Sequence, residues 1–181
     1  MSAAPQIILV MGVSGSGKTT VGRLLANRLG CAFLEGDTLH PAANITKMSN
    51  GIPLDDTDRA PWLAAIRQHL ETARQARTGL VVACSALKQR YRDFLAATGA
   101  VRWVYLYGSP ELLRSRLEAR HGHYMHVNML ASQLADLEPP RDAIAVDITP
   151  PPEEIVEQVL AALGADATGV AANPVKPGDL T

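Results

Sequence analysis

An α/β fold built on a parallel sheet is predicted by three features of this 181-residue sequence. Five short apolar runs alternate with stretches of helical periodicity, the order from which right-handed strand–helix–strand crossovers are made. The run at residues 80–84 is apolar at every position, as expected of a strand covered on both faces. Residues 12–19, reading Gly-Val-Ser-Gly-Ser-Gly-Lys-Thr, match the phosphate-loop pattern G-x-x-x-x-G-K-[ST] and lie between the first apolar run and the first helical stretch.

Residues 6–11 read as the first strand, and residues 18–29 as a helix with Val21, Leu24, Leu25 and Leu29 on one face and Gly30 where a left-handed glycine ends helices. Residues 31–34 make a second strand that runs into Glu35-Gly36-Asp37. Asp37 then sits at a carboxyl strand end, where open parallel sheets place ligands. Between residues 38 and 58 periodicity is poor, broken by Pro41, Gly51 and Pro53, and polar groups are dense. Such a stretch reads as a substrate-covering segment or as a plain surface loop. Asp58 is the expected cap, and Pro61 the first-turn proline, of a helix running to about residue 77 with Leu63, Ile66, Leu70 and Ala73 on its face.

The third strand, residues 80–84, delivers Ser85 through Lys88 to its carboxyl end, and residues 88–97 return as a helix. Residues 101–107 form a fourth strand. Ser109-Pro110-Glu111 then combines a capping hydroxyl, an N1 proline and a first-turn acid. The glycine-broken, histidine-dense residues 121–126, followed by a helical pattern at 128–137, suit a mobile lid over about 118–138. Residues 144–148 are a fifth strand, and a last helix opens at Pro152, carries Ile155, Val159 and Leu163 on one face, and closes at Gly164. One domain over residues 1–164 is expected, with 165–181 as a disordered or loosely attached tail.

At 47% hydrophobic residues the chain has the means for one real core. A net charge of −1 and 4% aromatics provide neither a basic stripe nor a stacking platform, which argues against nucleic acid as a partner. Cys31 and Cys84 each lie in an apolar strand-like run and read as buried thiols of a reducing compartment rather than as a disulfide. No signal-like or membrane-spanning apolar stretch is seen, so a cytoplasmic protein without a membrane partner is expected.

The chemistry concentrates first on the phosphate loop. Gly12, Gly15 and Gly17 can adopt backbone conformations that a Cβ forbids, so that together with Val13, Ser14 and Ser16 they wrap inward-facing N–H groups round a phosphate. Lys18 can reach the β- and γ-phosphates, Thr19 can ligate Mg²⁺, and Thr20 can donate to the α-phosphate. The bland alternative is a Gly/Ser turn with a solvated lysine; the strand–loop–helix context favours the nucleotide site.

Three further stretches carry a resemblance. Residues 35–63 read Glu-Gly-Asp37-x-Leu-His40-Pro-x-x-Asn44-x-x-Lys47-Met-x-x-Gly51-x-Pro53-Leu-x-Asp56-x-Asp58-Arg59-x-Pro61-Trp62-Leu; residues 83–93 contain Ala-Cys-Ser-Ala-Leu-Lys88-x-x-Tyr91-Arg92-Asp93; and Gly122-His123-Tyr124-Met125 is followed by Leu130-x-Ser132-Gln133-x-x-x-Leu137-Glu138. Over roughly residues 6–163 the chain resembles gluconokinases of the P-loop type. The resemblance implies phosphorylation of D-gluconate at its 6-hydroxyl by ATP, with Mg²⁺. It also implies a nucleoside-monophosphate-kinase-like fold with a five-stranded parallel sheet in the order 2-3-1-4-5, helices on both faces and a mobile lid, and commonly a homodimer. One departure is local: the family's lid usually reads His-Phe-Met-Pro, where this chain has His123-Tyr124-Met125-His126.

Phosphoryl transfer needs alignment, cations over the γ-phosphoryl oxygens and an acceptor hydroxyl held in line. Asp37 is the candidate general base or orienting group, since strand 3 ends without an acid; the alternatives are that it holds Mg²⁺ through water or merely caps a turn. A sugar acid needs a cation and hydrogen-bonding groups, for which Lys47, Arg59, Lys88 and Arg92 are candidates, Arg59 foremost, with His40 as a hydroxyl partner or a structural histidine. Trp62, at the start of an amphipathic helix, reads as core rather than as a sugar platform. Arg116 and Arg120, one helical turn apart, either meet the transferring phosphoryl group or form helix-surface salt bridges. His121, His123 and His126 lack a ligand pattern and are not read as a metal site. Shikimate kinase, nucleoside monophosphate kinase and a non-catalytic nucleotide-binding regulator are the competing readings.

Overall fold

The computed structural model of the protein describes residues 5–119 and 124–167. Five strands, β1 (Ile7–Met11), β2 (Ala32–Glu35), β3 (Leu80–Ala83), β4 (Arg102–Tyr107) and β5 (Ile144–Asp147), form one sheet in the order β2-β3-β1-β4-β5. Every pairing is parallel, with Leu9 opposite Val82 on one side and Trp103 on the other. β1 is therefore central, and its five residues are all buried.

Alternation along β1 divides the core in two. Ile8 and Val10 join Val81, Val104, Leu106 and Val146 under α1 (Lys18–Leu29), α5 (Pro110–Glu118) and α7 (Pro152–Ala167). Ile7, Leu9 and Met11 join Leu80, Val82 and Tyr105 under α3 (Asp56–Gln75) and α4 (Gln89–Ala96). The sheet has helices on both faces, which is why its strands can be apolar on both sides.

Most elements lie within a residue or two of their expected places, and the differences fall in the polar stretch after β2 and at helix ends. The polar stretch after β2 is not irregular: a 3-10 turn, Gly36–Leu39, leads into α2 (Ala42–Ser49). What holds that helix is tertiary, since Asn44 is buried and donates to Asp58 O at 2.7 Å, and Lys47 Nζ meets the Asp58 carboxylate at 2.7 and 2.8 Å. Helix α3 starts one turn earlier than expected, because Asp55 and Asp58 form a reciprocal capping box: Asp58 N–H donates to Asp55 Oδ1 at 2.8 Å and Asp55 N–H to Asp58 Oδ2 at 3.1 Å. Pro61 accordingly lies inside the helix, with exposed Thr57 four residues back. Helix α7 runs through Gly164 to Ala167, and Leu29 at the end of α1 is 41% exposed rather than on the buried face.

Helix α6 (Tyr124–Asp136) begins earlier than the expected 128. Its end is tied to the main body: Glu138 N–H donates to Leu87 O at 2.9 Å, and Glu138 Oε2 accepts from Gln89 N–H at 2.6 Å at the start of α4. Arg120, His121, His123, the side chains of Tyr124, Met125 and His126, and the tail from 168 onward lie outside the described residues. No helix among the described residues is long and apolar enough to cross a membrane. Cys31 and Cys84 are free, Cys31 half-buried and Cys84 fully buried, its thiol pushed up to about 12 chiefly by burial.

Candidate active site

The phosphate loop emerges from the carboxyl end of β1 and needs glycine for two distinct reasons. At Gly12, φ is +149° and a Cβ would stand 2.6 Å from Leu106 O; at Gly15, φ is +84° and a Cβ would stand 3.1 Å from Leu113 O and from the Leu117 side chain. The loop is thus packed against β4 and α5 as well as turned. Ser16 Oγ is buried, and among the described residues it has no hydrogen-bond partner, an orphan polar atom inside the turn. Lys18 Nζ donates to Val13 O at 3.0 Å. Thr19 Oγ1 donates to the Glu35 carboxylate, so a hydroxyl and an acid from the carboxyl end of β2 share one place, while Thr20 is exposed.

A cleft opens beside the loop. Lys18, Asp37, His40, Arg59, Trp62, Ser85 and Gln133 line it, with Met48, Pro53 and Leu54 from the segment after β2. Asp37, exposed in the 3-10 turn, faces this cleft because β2 and β3 end side by side. Gly36, just before it, lies so close to Ala83 O that a Cβ would approach to 2.4 Å. Trp62 is buried at 1% exposure, donates from Nε1 to Gly36 O at 2.8 Å and stacks on His40 with ring centroids 4.5 Å apart, so it is core and wall at once.

The state of His40 follows from its neighbours. Asn44 Nδ2 donates to Asp58 O, which orients the amide, and the same nitrogen lies 3.3 Å from His40 Nδ1. Nδ1 must then accept, leaving the neutral ring with its proton on Nε2. Burial also pulls the His40 pKa below its ordinary value, against the attraction of Asp37 and with the repulsion of Arg59.

The four candidate cations part ways. Arg59 lines the cleft, its guanidinium held by Asp136 at 2.9 Å and by Tyr91 Oη at 3.0 Å. Tyr91 in turn donates to Asp56, which Lys88 (3.3 Å) and Arg90 also meet. The Tyr91 hydroxyl, with Lys88 and Arg90, draws the Asp56 carboxyl down to about 2. Lys47 is paired with Asp58, and Lys88 with Asp56 and Asp136; neither is among the lining residues. Arg92 departs furthest from a substrate ligand. It is 2% exposed and donates to Ala86 O (2.9 Å), Leu87 O (3.0 Å), Gln89 Oε1 (2.8 Å) and Glu138 O (2.7 Å). The guanidinium holds the 85–87 bend, where Ala86 adopts φ +43°, a left-handed conformation costly for a residue with a Cβ. Arg116, on α5, donates to Ile148 O at 2.6 Å beyond β5.

Sequence reasoning passed over Glu35, Gln133 and Asp136. Glu35 was legible as a second acid at the same strand end as Asp37. Gln133 reaches Ser14 N–H at 2.6 Å across 119 residues, and Asp136 meets Arg59 across 77, separations at which no local pattern signals contact.

A parallel sheet in the 2-3-1-4-5 order, with a Gly-Lys-Thr loop at the carboxyl end of its central strand and a cleft alongside, defines a P-loop kinase. The AAA domain family matches residues 7–140. The chain is 46% identical over 164 residues to a gluconokinase of Gluconobacter oxydans, covering 88% of this chain and 92% of the relative. It is 41% identical over 159 residues to the thermoresistant gluconokinase of Escherichia coli, covering 85% and 91%. The crystal structure of a gluconokinase from Sinorhizobium meliloti superposes with a TM-score of 0.83 at 48% identity, over 92% of this chain and 95% of that one. The chain belongs to the gluconokinase family of P-loop kinases.

Proposed function

We propose that the enzyme transfers the γ-phosphoryl group of ATP to the 6-hydroxyl of D-gluconate, giving 6-phospho-D-gluconate and ADP. The carrying observation is the cleft in which Lys18 of the phosphate loop meets Asp37, His40 and Arg59, in a chain of the gluconokinase family. Loop N–H groups and Lys18 hold the phosphates; Asp37 orients the 6-hydroxyl and accepts its proton as the P–O bond to ADP breaks. Neutral His40 offers Nε2–H to a sugar hydroxyl. Arg59, held in place by Asp136 and Tyr91, is the cation for the gluconate carboxylate. Arg116 and Arg120 remain assigned to the nucleotide side.

The donor set fits Mg²⁺: Thr19 Oγ1 and the Glu35 carboxylate are hard oxygens at one place, and Asp37, two residues beyond Glu35, is the candidate to act through water. When bound there the ion supplies neutralisation of phosphate charge. The homodimer belongs to the same reading and rests on the family resemblance; the cytoplasmic setting and the lid accompany it as expectations from the sequence. An ADP-release assay tests it: turnover with gluconate, none with shikimate or AMP, is expected. ATP consumption with shikimate or AMP but none with gluconate would overturn the assignment.

A further inference from the structure

Gln133 stands outside every role assigned so far, yet it touches the phosphate loop. Its Oε1 accepts the Ser14 N–H at 2.6 Å, and the side chain lines the cleft together with Lys18, Asp37 and Arg59. The peptide joining Val13 to Ser14 is thereby gripped at both ends, its carbonyl by Lys18 Nζ at 3.0 Å and its N–H by Gln133. Lys18 is the loop's contact to the β- and γ-phosphates. Gln133 therefore meets the loop at its γ-phosphate end, beside the acceptor cleft.

The amide orientation is set by chemistry. A backbone N–H can pair only with the carbonyl oxygen of the side chain, so Oε1 is committed to Ser14 and Nε2, which has two hydrogens and no acceptor, is the group left for another partner. Among the described residues no hydrogen bond is recorded from Nε2. The other end of the side chain is equally constrained. Asp136, three residues on in α6, is pinned by Arg59 at 2.9 Å and Lys88 at 3.7 Å, and Glu138 is tied to Leu87 and Gln89. The residue is held from two directions, as a group that must meet a reacting atom has to be.

We propose that Gln133 is a catalytic residue whose Nε2 amide donates a hydrogen bond to the transferring γ-phosphoryl group, with Ser14 N–H fixing the amide so that a donor, not an acceptor, faces the phosphate. A neutral donor adds to the cations already over the phosphoryl oxygens and strengthens as negative charge redistributes in the transition state. This inference rests on the kinase reading above.

Gln133→Glu is the decisive variant, because it separates holding the loop from donating to phosphate. A glutamate of the same size still accepts the Ser14 N–H, so a purely structural role would survive. As a donor it fails, and it turns a negative charge on the phosphoryl group. Binding of a non-hydrolysable ATP analogue and of ADP is measured by calorimetry for wild type and Gln133→Glu, with kcat from ADP release. The expected result is at least a tenfold loss of affinity for the analogue, ADP affinity within about twofold of wild type, and kcat down by about 10²-fold or more. Gln133→Ala is expected to lower kcat as well, with ADP binding retained. Equal losses for both nucleotides in Gln133→Ala would make Gln133 a support of the loop and overturn the proposal, as would near-normal kcat in Gln133→Glu. The nucleotide comparison needs no acceptor, so failure of wild type to phosphorylate gluconate would overturn the functional assignment separately.

Discussion

Replacing Arg92 by Met tests whether the most buried cation near the cleft serves substrate or scaffold. Methionine keeps much of the volume and removes the guanidinium, whose four hydrogen bonds end on Ala86 O, Leu87 O, Gln89 Oε1 and Glu138 O. Leu87 O keeps a donor in Glu138 N–H, and the Gln89 amide can turn to water. Ala86 O and Glu138 O lose theirs, the first in a fully buried setting. A buried carbonyl deprived of its donor costs about 1–3 kcal/mol. Counting Ala86 O in full and the half-buried Glu138 O in part, and crediting relief of the charge that burial disfavours, the net loss is about 3 kcal/mol. For a domain of this size that lowers Tm by about 6–12 °C. Urea unfolding followed by circular dichroism reads the stability, and steady-state kinetics well below Tm read the gluconate KM, expected within about threefold of wild type because Arg92 is not in the cleft. A stability change under about 1 kcal/mol, together with a gluconate KM raised more than about tenfold, would refute the scaffold role and restore Arg92 as a ligand.

Other perturbations address the site directly. Lys18→Ala should lower kcat by about 10²–10³-fold or more, since a transition-state contact is lost, and near-normal turnover would sink the phosphate-loop assignment. Asp37→Asn should reduce kcat more than it raises the ATP KM; a purely raised KM would make Asp37 a ground-state ligand. Gly36→Ala forces a Cβ to within 2.4 Å of Ala83 O, so a loss of about 1–3 kcal/mol in urea unfolding is expected, and an unchanged midpoint would contradict the close approach of β2 and β3. His40 binds its proton less readily folded than unfolded, so its stabilising contribution is present above the ordinary histidine pKa of about 6.5 and is lost as pH falls below it through the depressed value. Stability of wild type should therefore fall from pH 7 to 5.5 more steeply than that of His40→Phe, by at most about 1.4 kcal/mol per pH unit, and equal slopes would refute a half-buried neutral ring.

Local pattern was enough wherever the signal was confined to neighbouring residues. The five strands, the loop of three left-handed glycines and the Ser109-Pro110 helix start were legible because each depends on residues within one turn or one strand of each other. Helix α2 was not, since eight residues broken on either side by proline and glycine carry too little periodicity, and Asn44 and Lys47 secure it only by reaching Asp58. The cap of α3 was misplaced by a turn because Asp55 and Asp58 are equally good capping residues and only their reciprocal bonds reveal which leads.

A phosphate loop on the central strand of a parallel sheet and, through the long polar stretch, the gluconokinase family were legible in advance, because glycine spacing, apolar runs and motif order are properties of the chain before it folds. Which charges line the cleft depended on tertiary partners. The sequence put Arg59 foremost among Lys47, Arg59, Lys88 and Arg92 without showing where any of them ends; in the fold Asp58 takes the first, Asp56 and Asp136 the third, and four acceptors, two of them buried, the last, while Arg59, itself paired with Asp136, lines the cleft. A charged side chain goes where its compensating partner lies, and for these the partners stand up to 77 residues away, on elements that meet only when the sheet is assembled.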